Sequence, residues 1–281
     1  MNGKVYLVGA GPGDPELLTV KALQLLRTAD VVLHDDLITP GILQLISLGA
    51  EVQNVGKRCG SKTIRQEEIN FLMVTRAASG LKVVRLKSGD PLIFGRAGEE
   101  IRALRRANIP YEIVPGVTSA LGAAAAAGIP LTHRQLSSTL VLTAGQRASE
   151  NAGADWSGLT GAESTLVIYM PGSNYVEISS GLRAAGFAPE TPCAIISRAT
   201  TPRQQIHRTT VSDLPRAPRL APPTLLVVGE VVKFADYGLV EEGLVEEAAS
   251  LPRPENAPGA GFARGAFLPA EGVRAHEEPL A

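Results

Sequence analysis

Val5-Tyr6-Leu7-Val8-Gly9-Ala10-Gly11-Pro12-Gly13-Asp14 is an apolar run of strand length that breaks into a glycine-proline bend, the signature of a buried strand feeding a tight turn. Comparable punctuation recurs at Val55-Gly56-Lys57-Arg58, Leu86-Lys87-Ser88-Gly89-Asp90-Pro91, Val114-Pro115-Gly116-Val117-Thr118-Ser119 and Gly128-Ile129-Pro130-Leu131-Thr132-His133-Arg134, each read as the end of a strand. Ligands of open α/β sheets bind outside the carboxyl ends of the strands. Five such bends therefore predict a single site assembled from many loops, and with it a small-molecule enzyme.

Outward from that stretch, Asp14-Pro15-Glu16 supplies a turn or helix cap, and Leu18, Ala22, Leu25, Leu26 and Ala29 recur at helical spacing before the strand Val31-Val32-Leu33. The alternation continues with a strand at 52–55, a helix near 66–78, a strand at 82–86, a helix near 98–107, a strand at 111–114 and an alanine-rich helix near 118–127. Such a series predicts a mostly parallel sheet wrapped by helices. A polar connector over 132–138 marks the lobe boundary. Beyond it, strands are expected at 139–143, 165–169, 194–197, 205–209 and 224–228, with a helix near 175–185. Gln205-Ile206-His207-Arg208-Thr209 alternates like a half-buried antiparallel strand, so the second sheet should be mixed. The expected domains are 1–136 and 137–240, and the Ala-, Glu-, Pro- and Gly-rich stretch 241–281 reads as a disordered tail.

The bulk chemistry narrows the class. A net charge of -1 gives no general attraction to nucleic acid or anionic membrane, and 44% hydrophobic residues suit a globular chain of ordinary core size. Any anion must then be met by a local basic cluster. Met1-Asn2-Gly3-Lys4 runs directly into the first strand without a leader pattern, and no apolar run approaches membrane-spanning length, so a cytoplasmic location is expected. Cys59 and Cys193 stand far apart without ligand-spaced partners, which indicates neither a zinc site nor a disulfide framework.

Each motif carries two readings. Gly9-x-Gly11 after a strand, with Asp35-Asp36 ending the second strand, fits a nicotinamide-dependent oxidoreductase; yet Asp14 replaces the third glycine, and Pro12 removes a backbone donor where a pyrophosphate needs one. The bend is equally a rigid turn lining a pocket. Ser88-Gly89-Asp90-Pro91 is either a ligand loop or a plain turn. Thr118-Ser119 either presents amides and hydroxyls to a carboxylate or caps a helix. Lys57, Arg58, Lys62 and Arg65 share one loop, and Arg96, His133, Arg134 and Arg198 sit on others. Solvated surface cations are the default; loops that converge would make a basic rim suited to a polycarboxylate.

Taken in order, the blocks resemble the tetrapyrrole methyltransferases over about Val5 to Val232, and within that family the branch that methylates uroporphyrinogen III. The resemblance rests on Val8-Gly9-Ala10-Gly11-Pro12-Gly13-Asp14, on Val55-Gly56-Lys57-Arg58 followed by Gln66-Glu67-Glu68-Ile69-Asn70, and on Arg85 through Arg96. It implies an α/β fold of two domains with S-adenosylmethionine (SAM) in the cleft between them, a homodimer, and no metal. By the same resemblance Pro12, Ser88, Gly89, Asp90, Ile93, Thr118, Ser119, Met170 and Ala199 contact the cofactor, Asp35 accepts a proton and Lys57 donates one. Arg58, Arg96, His133 and Arg134 are the substrate-anion candidates.

The implied reaction moves two methyl groups to C2 and C7 of uroporphyrinogen III, giving precorrin-2 for sirohaem or cobalamin synthesis and two molecules of S-adenosylhomocysteine. No dehydrogenase or chelatase segment precedes the first strand, so later steps are expected elsewhere. Three positions depart from the family pattern. Ser88 stands for a glycine, Asp36 for an arginine, and Ala199 for a common glycine, which is tolerable if its φ is negative. The change at Asp36 removes one candidate partner for a substrate carboxylate. Besides the oxidoreductase, the rival readings are a later-acting precorrin methyltransferase and a non-catalytic SAM-binding module.

Overall fold

The computed structural model describes residues 3–56, 64–145 and 163–237. Five strands, β1 (Lys4–Gly9), β2 (Val31–His34), β3 (Glu51–Asn54), β4 (Lys82–Lys87) and β5 (Tyr111–Val114), form one sheet in the order β3-β2-β4-β1-β5. Every pairing in it is parallel. All strand ends of this sheet that lead into a glycine bend therefore emerge on one edge. The helices between strands are α1 (Val20–Leu26), the single turn α2 (Pro40–Leu43), α3 (Gln66–Ala78) and α4 (Ala97–Arg106). Leu7, Leu33 and Leu86 are fully buried, each contributing about 1.5–3 kcal/mol by leaving water.

The fifth helix, α5 (Ser119–Ala126), leads to the second sheet. Its strands are β6 (Thr139–Ala144), β7 (Ser164–Tyr169), β8 (Pro192–Ser197), β9 (Gln205–Thr210) and β10 (Thr224–Val228), with α6 (Tyr175–Ala184) between β7 and β8. Their order is β6-β7-β10-β8-β9. Only β6 and β7 run parallel, and β10, β8 and β9 add antiparallel pairings, so the sheet is mixed as its alternating strand indicated.

Three local readings change. The helix read from Leu18 to Ala29 is a 3-10 turn at Pro15–Leu17 and then α1, because Thr19 Oγ1 accepts the Ala22 N–H at 3.1 Å and starts a new helix. The fifth glycine block follows a helix rather than a strand. Gly128, at φ 65°, ends α5: its N–H reaches Ala125 O at 3.2 Å and the Ile129 N–H reaches Ala124 O at 2.9 Å, a Schellman stop that needs the left-handed residue. By packing, α5 itself joins the second sheet. Ala120, Ala123, Ala124 and Ala127 share a core cluster with Val167, Ala194, Ile196 and Val227, and short alanine side chains permit that close approach.

Candidate active site

Three of the five bends form one interlocked unit. Beyond the strands, the Gly11 N–H donates to Gly89 O at 3.2 Å and the Gly89 N–H to Gly11 O at 2.8 Å, tying the bend after β1 to the bend after β4. A Cβ on Gly9 would lie 2.5 Å from Gly116 N and 2.7 Å from Gly89 O. Backbone therefore meets backbone where the blocks after β1, β4 and β5 cross, and only glycine fits. Asp90 completes the joint: Oδ1 accepts the Leu92 N–H at 2.8 Å and Oδ2 accepts the Gly116 N–H at 3.1 Å. In this structure its carboxylate is a brace between two loops.

The second sheet closes over this unit. Tyr169, the last residue of β7, accepts the Ala120 N–H at 3.1 Å on its hydroxyl oxygen and shares a hydrogen bond with Thr118 Oγ1 at 2.6 Å. Thr118 occupies the N-cap of α5 without capping it by its own side chain. The cap comes from the other sheet. The Asp14 N–H donates to Thr200 Oγ1 at 3.3 Å, and Gly122 packs on the Pro12 ring. Arg198 and Thr200 hold left-handed φ values of 49° and 63°, whereas Ala199 between them is not among the positive-φ residues and is buried. Alanine is thus tolerated where the family pattern has glycine. Met170, also left-handed at φ 50°, is half exposed beside Tyr169, whose ring lies 4.8 Å from Phe94.

Between these elements lies an open cleft of about 1280 Å³. It is lined by residues 12–15 of the first bend, residues 36–41 after β2, Ser88, Ser119, Pro223 and the β8–β9 loop at Arg198 and 200–203. Of the residues expected to hold a cofactor, Pro12, Ser88 and Ser119 face it directly. Gly89, Asp90 and Thr118 are not among its lining residues but are hydrogen-bonded to Gly11, Gly116 and Tyr169 next to it, and Ile93 packs against the core cluster that includes α5. Arg96, His133 and Arg134 are not among the lining residues. Arg96 is held by Glu99 through two contacts of 2.8 Å, and the His133 ring sits 5.1 Å from Phe234. Lys57 and Arg58, with Lys62, lie outside the described residues. Asp36 rather than Asp35 lines the cleft.

Asp35 points instead to a buried charge cluster that the sequence reading did not find. Arg85 Nη2 pairs with Asp35 Oδ1, and Arg85 Nε donates to Glu100 Oε1 at 3.0 Å. Lys87 Nζ reaches the same oxygen at 3.0 Å, and Gln66 Nε2 approaches it at 3.4 Å. Glu100 Oε2 takes no hydrogen bond, although Lys87 Nζ stands 2.9 Å from it as an ion pair. Arg85, Lys87 and Glu100 are only 3%, 2% and 0% exposed. Burial acts to lower the Arg85 pKa, but the charges of Asp35 and Glu100 outweigh it and raise the group above its ordinary value. Burial and the Arg85 charge together push Lys87 below the usual lysine range. Two cations and two carboxylates thus balance beneath the sheet edge, and Asp35 is the member that reaches partial exposure.

Glu68 and Gln66, part of the block that carried the resemblance, have structural work here. The Glu68 carboxylate accepts the Arg65 N–H at 3.1 Å at the start of α3, and Gln66 joins the buried cluster. The same bend geometry disfavours a dinucleotide. Asp14 Oδ1 caps the 3-10 turn by accepting the Glu16 N–H at 2.9 Å, and α1 begins only at Val20. The bend therefore does not run directly into an α-helix, as the anion-binding half of that motif requires.

Comparison with known proteins agrees with this architecture. Residues 4–215 match the model of the Tetrapyrrole (Corrin/Porphyrin) Methylases. The chain is 49% identical over 231 residues to siroheme synthase 1 of Yersinia enterocolitica and 48% identical over 230 residues to siroheme synthase of Zymomonas mobilis, covering 82% of this chain in each case. It spans about half the length of the curated relatives it matches, 49% of each of these two. Among solved structures, uroporphyrin-III C-methyltransferase of Thermus thermophilus complexed with S-adenosyl homocysteine superposes with a TM-score of 0.72 at 39% identity, covering 82% of this chain and 94% of that one. A cobalt precorrin-4 methyltransferase gives 0.71 at 35% identity, covering 82% and 95%. With its interlocked glycine bends, its two sheets and a match running through both, the chain belongs to the tetrapyrrole methylases.

Proposed function

We propose that this chain is a SAM-dependent C-methyltransferase that converts uroporphyrinogen III to precorrin-2 by methylation at C2 and C7. The observation that carries the reading is the cleft where the bends after β1 and β4 are cross-bonded, with Pro12, Ser88 and Ser119 on one wall. The lining suits an amphipathic cofactor. Hydroxyls at Ser88 and Ser119 match its amino-acid end, and Pro12, Leu37 and Ile38 offer apolar surface for its base, whereas Ile93, Met170 and Ala199 are not among the lining residues. Relatives named siroheme synthase and uroporphyrin-III C-methyltransferase support the choice of acceptor.

SAM supplies an electrophilic sulfonium methyl when bound. The protein's part is alignment and exclusion of water, and orientation of this kind is worth roughly 7–11 kcal/mol of barrier. A pyrrole carbon becomes the better nucleophile as its N–H proton leaves, and Asp35, paired with Arg85 and partly exposed, is the proposed acceptor. Lys57 either donates a proton or holds a propionate. Residues 1–136 and 137–240 are taken as the two domains. We take the working form to be a cytoplasmic homodimer that needs no metal, nucleic acid or membrane. Among the described residues, no helix is long and apolar enough to cross a membrane.

Incubation with uroporphyrinogen III and SAM should give product with the absorbance of oxidised precorrin-2, together with S-adenosylhomocysteine. A cobalt precorrin-4 methyltransferase superposes nearly as well, so turnover of a later corrinoid without turnover of uroporphyrinogen III would shift the reading to that branch. Asp35→Ala and Lys57→Ala are compared in the same assay with SAM affinity measured separately. Normal turnover in both removes the role assignments.

A further inference from the structure

We infer that Arg198 and Arg203, on the β8–β9 loop of the second sheet, recognise carboxylates of the acceptor substrate and form the cationic wall of the cleft. Both line it, with Asp36 also in the lining. The inference rests on the proposed polycarboxylate acceptor and adds to it the residues that read its acid groups.

The geometry of Arg198 favours this role. Its N–H donates to Pro223 O at 2.9 Å, its carbonyl accepts from Thr201 N–H at 3.2 Å and Thr201 Oγ1 at 2.8 Å, and its Nε donates to Pro222 O at 3.2 Å. Backbone and side-chain root are thus fixed before any ligand arrives. With Nε occupied by a neutral carbonyl, the two terminal nitrogens remain as a fork matched to a carboxylate, and its positive charge is not consumed. Its left-handed φ of 49° is a strained conformation for an arginine, held by these bonds, and such strain gathers where a side chain must be aimed. Arg203 stands five residues on, exposed, with its N–H donating to Thr201 Oγ1 at 3.3 Å.

Among the described residues neither guanidinium has a carboxylate partner, in contrast to Arg85 with Asp35 and Glu100, Arg96 with Glu99, and Arg216 with Asp213. The cleft's own acids Asp14 and Asp36 take neutral hydrogen-bond donors. Asp14 Oδ1 accepts the Glu16 N–H at 2.9 Å, and Asp36 Oδ1 accepts from Asn54 Nδ2 at 3.1 Å. The basic residue that the family pattern places at position 36 is an acid here, so the cation the substrate requires on this side comes from the opposite wall. The volume of about 1280 Å³ exceeds the usual range for one small ligand, leaving space for an acceptor beside the cofactor.

The test uses the full chain with uroporphyrin III, the air-stable octacarboxylate, as probe, and coproporphyrin III, its tetracarboxylate counterpart, as control. Binding is followed by fluorescence titration for wild type, Arg198→Ala, Arg198→Lys and Arg203→Ala, with SAM affinity by calorimetry as the check on folding. Each alanine variant should bind uroporphyrin III about tenfold more weakly, as expected for loss of one charge-assisted contact, and retain its SAM affinity. Lysine should recover part of the loss, and coproporphyrin III should be less affected. Wild-type turnover is measured in parallel. If wild type methylates uroporphyrinogen III and the variants bind the probe equally well, the inference is overturned while the function stands. If binding depends on the arginines but no methylated product forms, the inference stands and the proposed reaction falls. Absence of any porphyrin binding to the wild type overturns the inference, and absence of methylated product as well removes both.

Discussion

Glu100 and Glu112 present the same arrangement in two environments. Each carboxylate meets two cations: Arg85 and Lys87 for Glu100, Lys4 and Lys21 for Glu112. Glu100 lies at the carboxyl-end side of the first sheet with 0% exposure, whereas the Glu112 side chain is 28% exposed and its lysines 40% and 57%. Water solvates the second cluster in the unfolded and folded chain alike, so its ion pairs replace one good environment with another. The first cluster has no such alternative. Its charges have lost water, and they are compensated by each other, by Gln66 and by the Leu33 and Leu86 carbonyls. The difference teaches that the charged residues which shape this protein's site are the hidden ones, and that Asp35 is attached to them through Arg85.

Removing the buried anion gives the largest expected effect. Glu100→Gln keeps the shape but leaves Arg85 and Lys87 beneath the sheet with Asp35 as the remaining carboxylate. Loss of about 3–5 kcal/mol is expected in urea unfolding, and under native conditions turnover should fall more than SAM affinity because Arg85 no longer holds Asp35 in place. A loss no greater than that of Glu112→Gln would break the comparison. Lys87→Met is the next step down, since Arg85 and Gln66 still serve Glu100. Lys87 binds its proton less tightly in the folded chain than at its ordinary 10.5. Just below pH 10.5 the unfolded chain therefore holds more protons, and wild-type stability should rise with pH across that window. In Lys87→Met that rise should be missing from a series of urea titrations.

How much of this was legible depends on which physical signal each residue carried. Strand and helix periodicity placed α3 at Gln66–Ala78, β5 at Tyr111–Val114 and β10 at Thr224–Val228 with the bounds the structure has, because apolar faces and glycine or proline stops coincide there. Leu18 fell at helical spacing yet lies outside α1, since Thr19 is a stronger local signal than one apolar match. The single turn of α2 has too few residues to show a period. The charge cluster was hidden by composition: Arg85 and Lys87 are charged residues of a short strand, and such side chains are mostly exposed. Two observations could have found it. Residues 85 and 87 share one face of a strand buried on both sides, and Glu100 occupies the stripe of Ala97 and Leu104 on α4. Arg198 and Arg203 were harder to place, because cleft-facing and solvated arginines have the same spelling.

The Tyr169 hydroxyl is the intermediate case, a buried polar group without charge. Tyr169→Phe leaves the Ala120 N–H without its acceptor and frees Thr118, and about 1–3 kcal/mol of stability should be lost. SAM binding should weaken as well, since the start of α5 is then unbraced. The smallest effect belongs to Glu112. Hydrogen bonds from Lys21 and Lys4 hold its pKa down at about 2, against an ordinary 4.5. Because the folded value is the lower one, the contribution is complete above pH 4.5 and is lost as pH falls from there toward 2. Solvent and salt screen both lysines, so Glu112→Gln should shift the thermal midpoint less than Tyr169→Phe does at neutral pH, and progressively less as pH falls from 4.5 toward 2. An equally large shift at high salt would mean that water does not separate the two clusters, and burial would no longer explain why one glutamate matters more than the other.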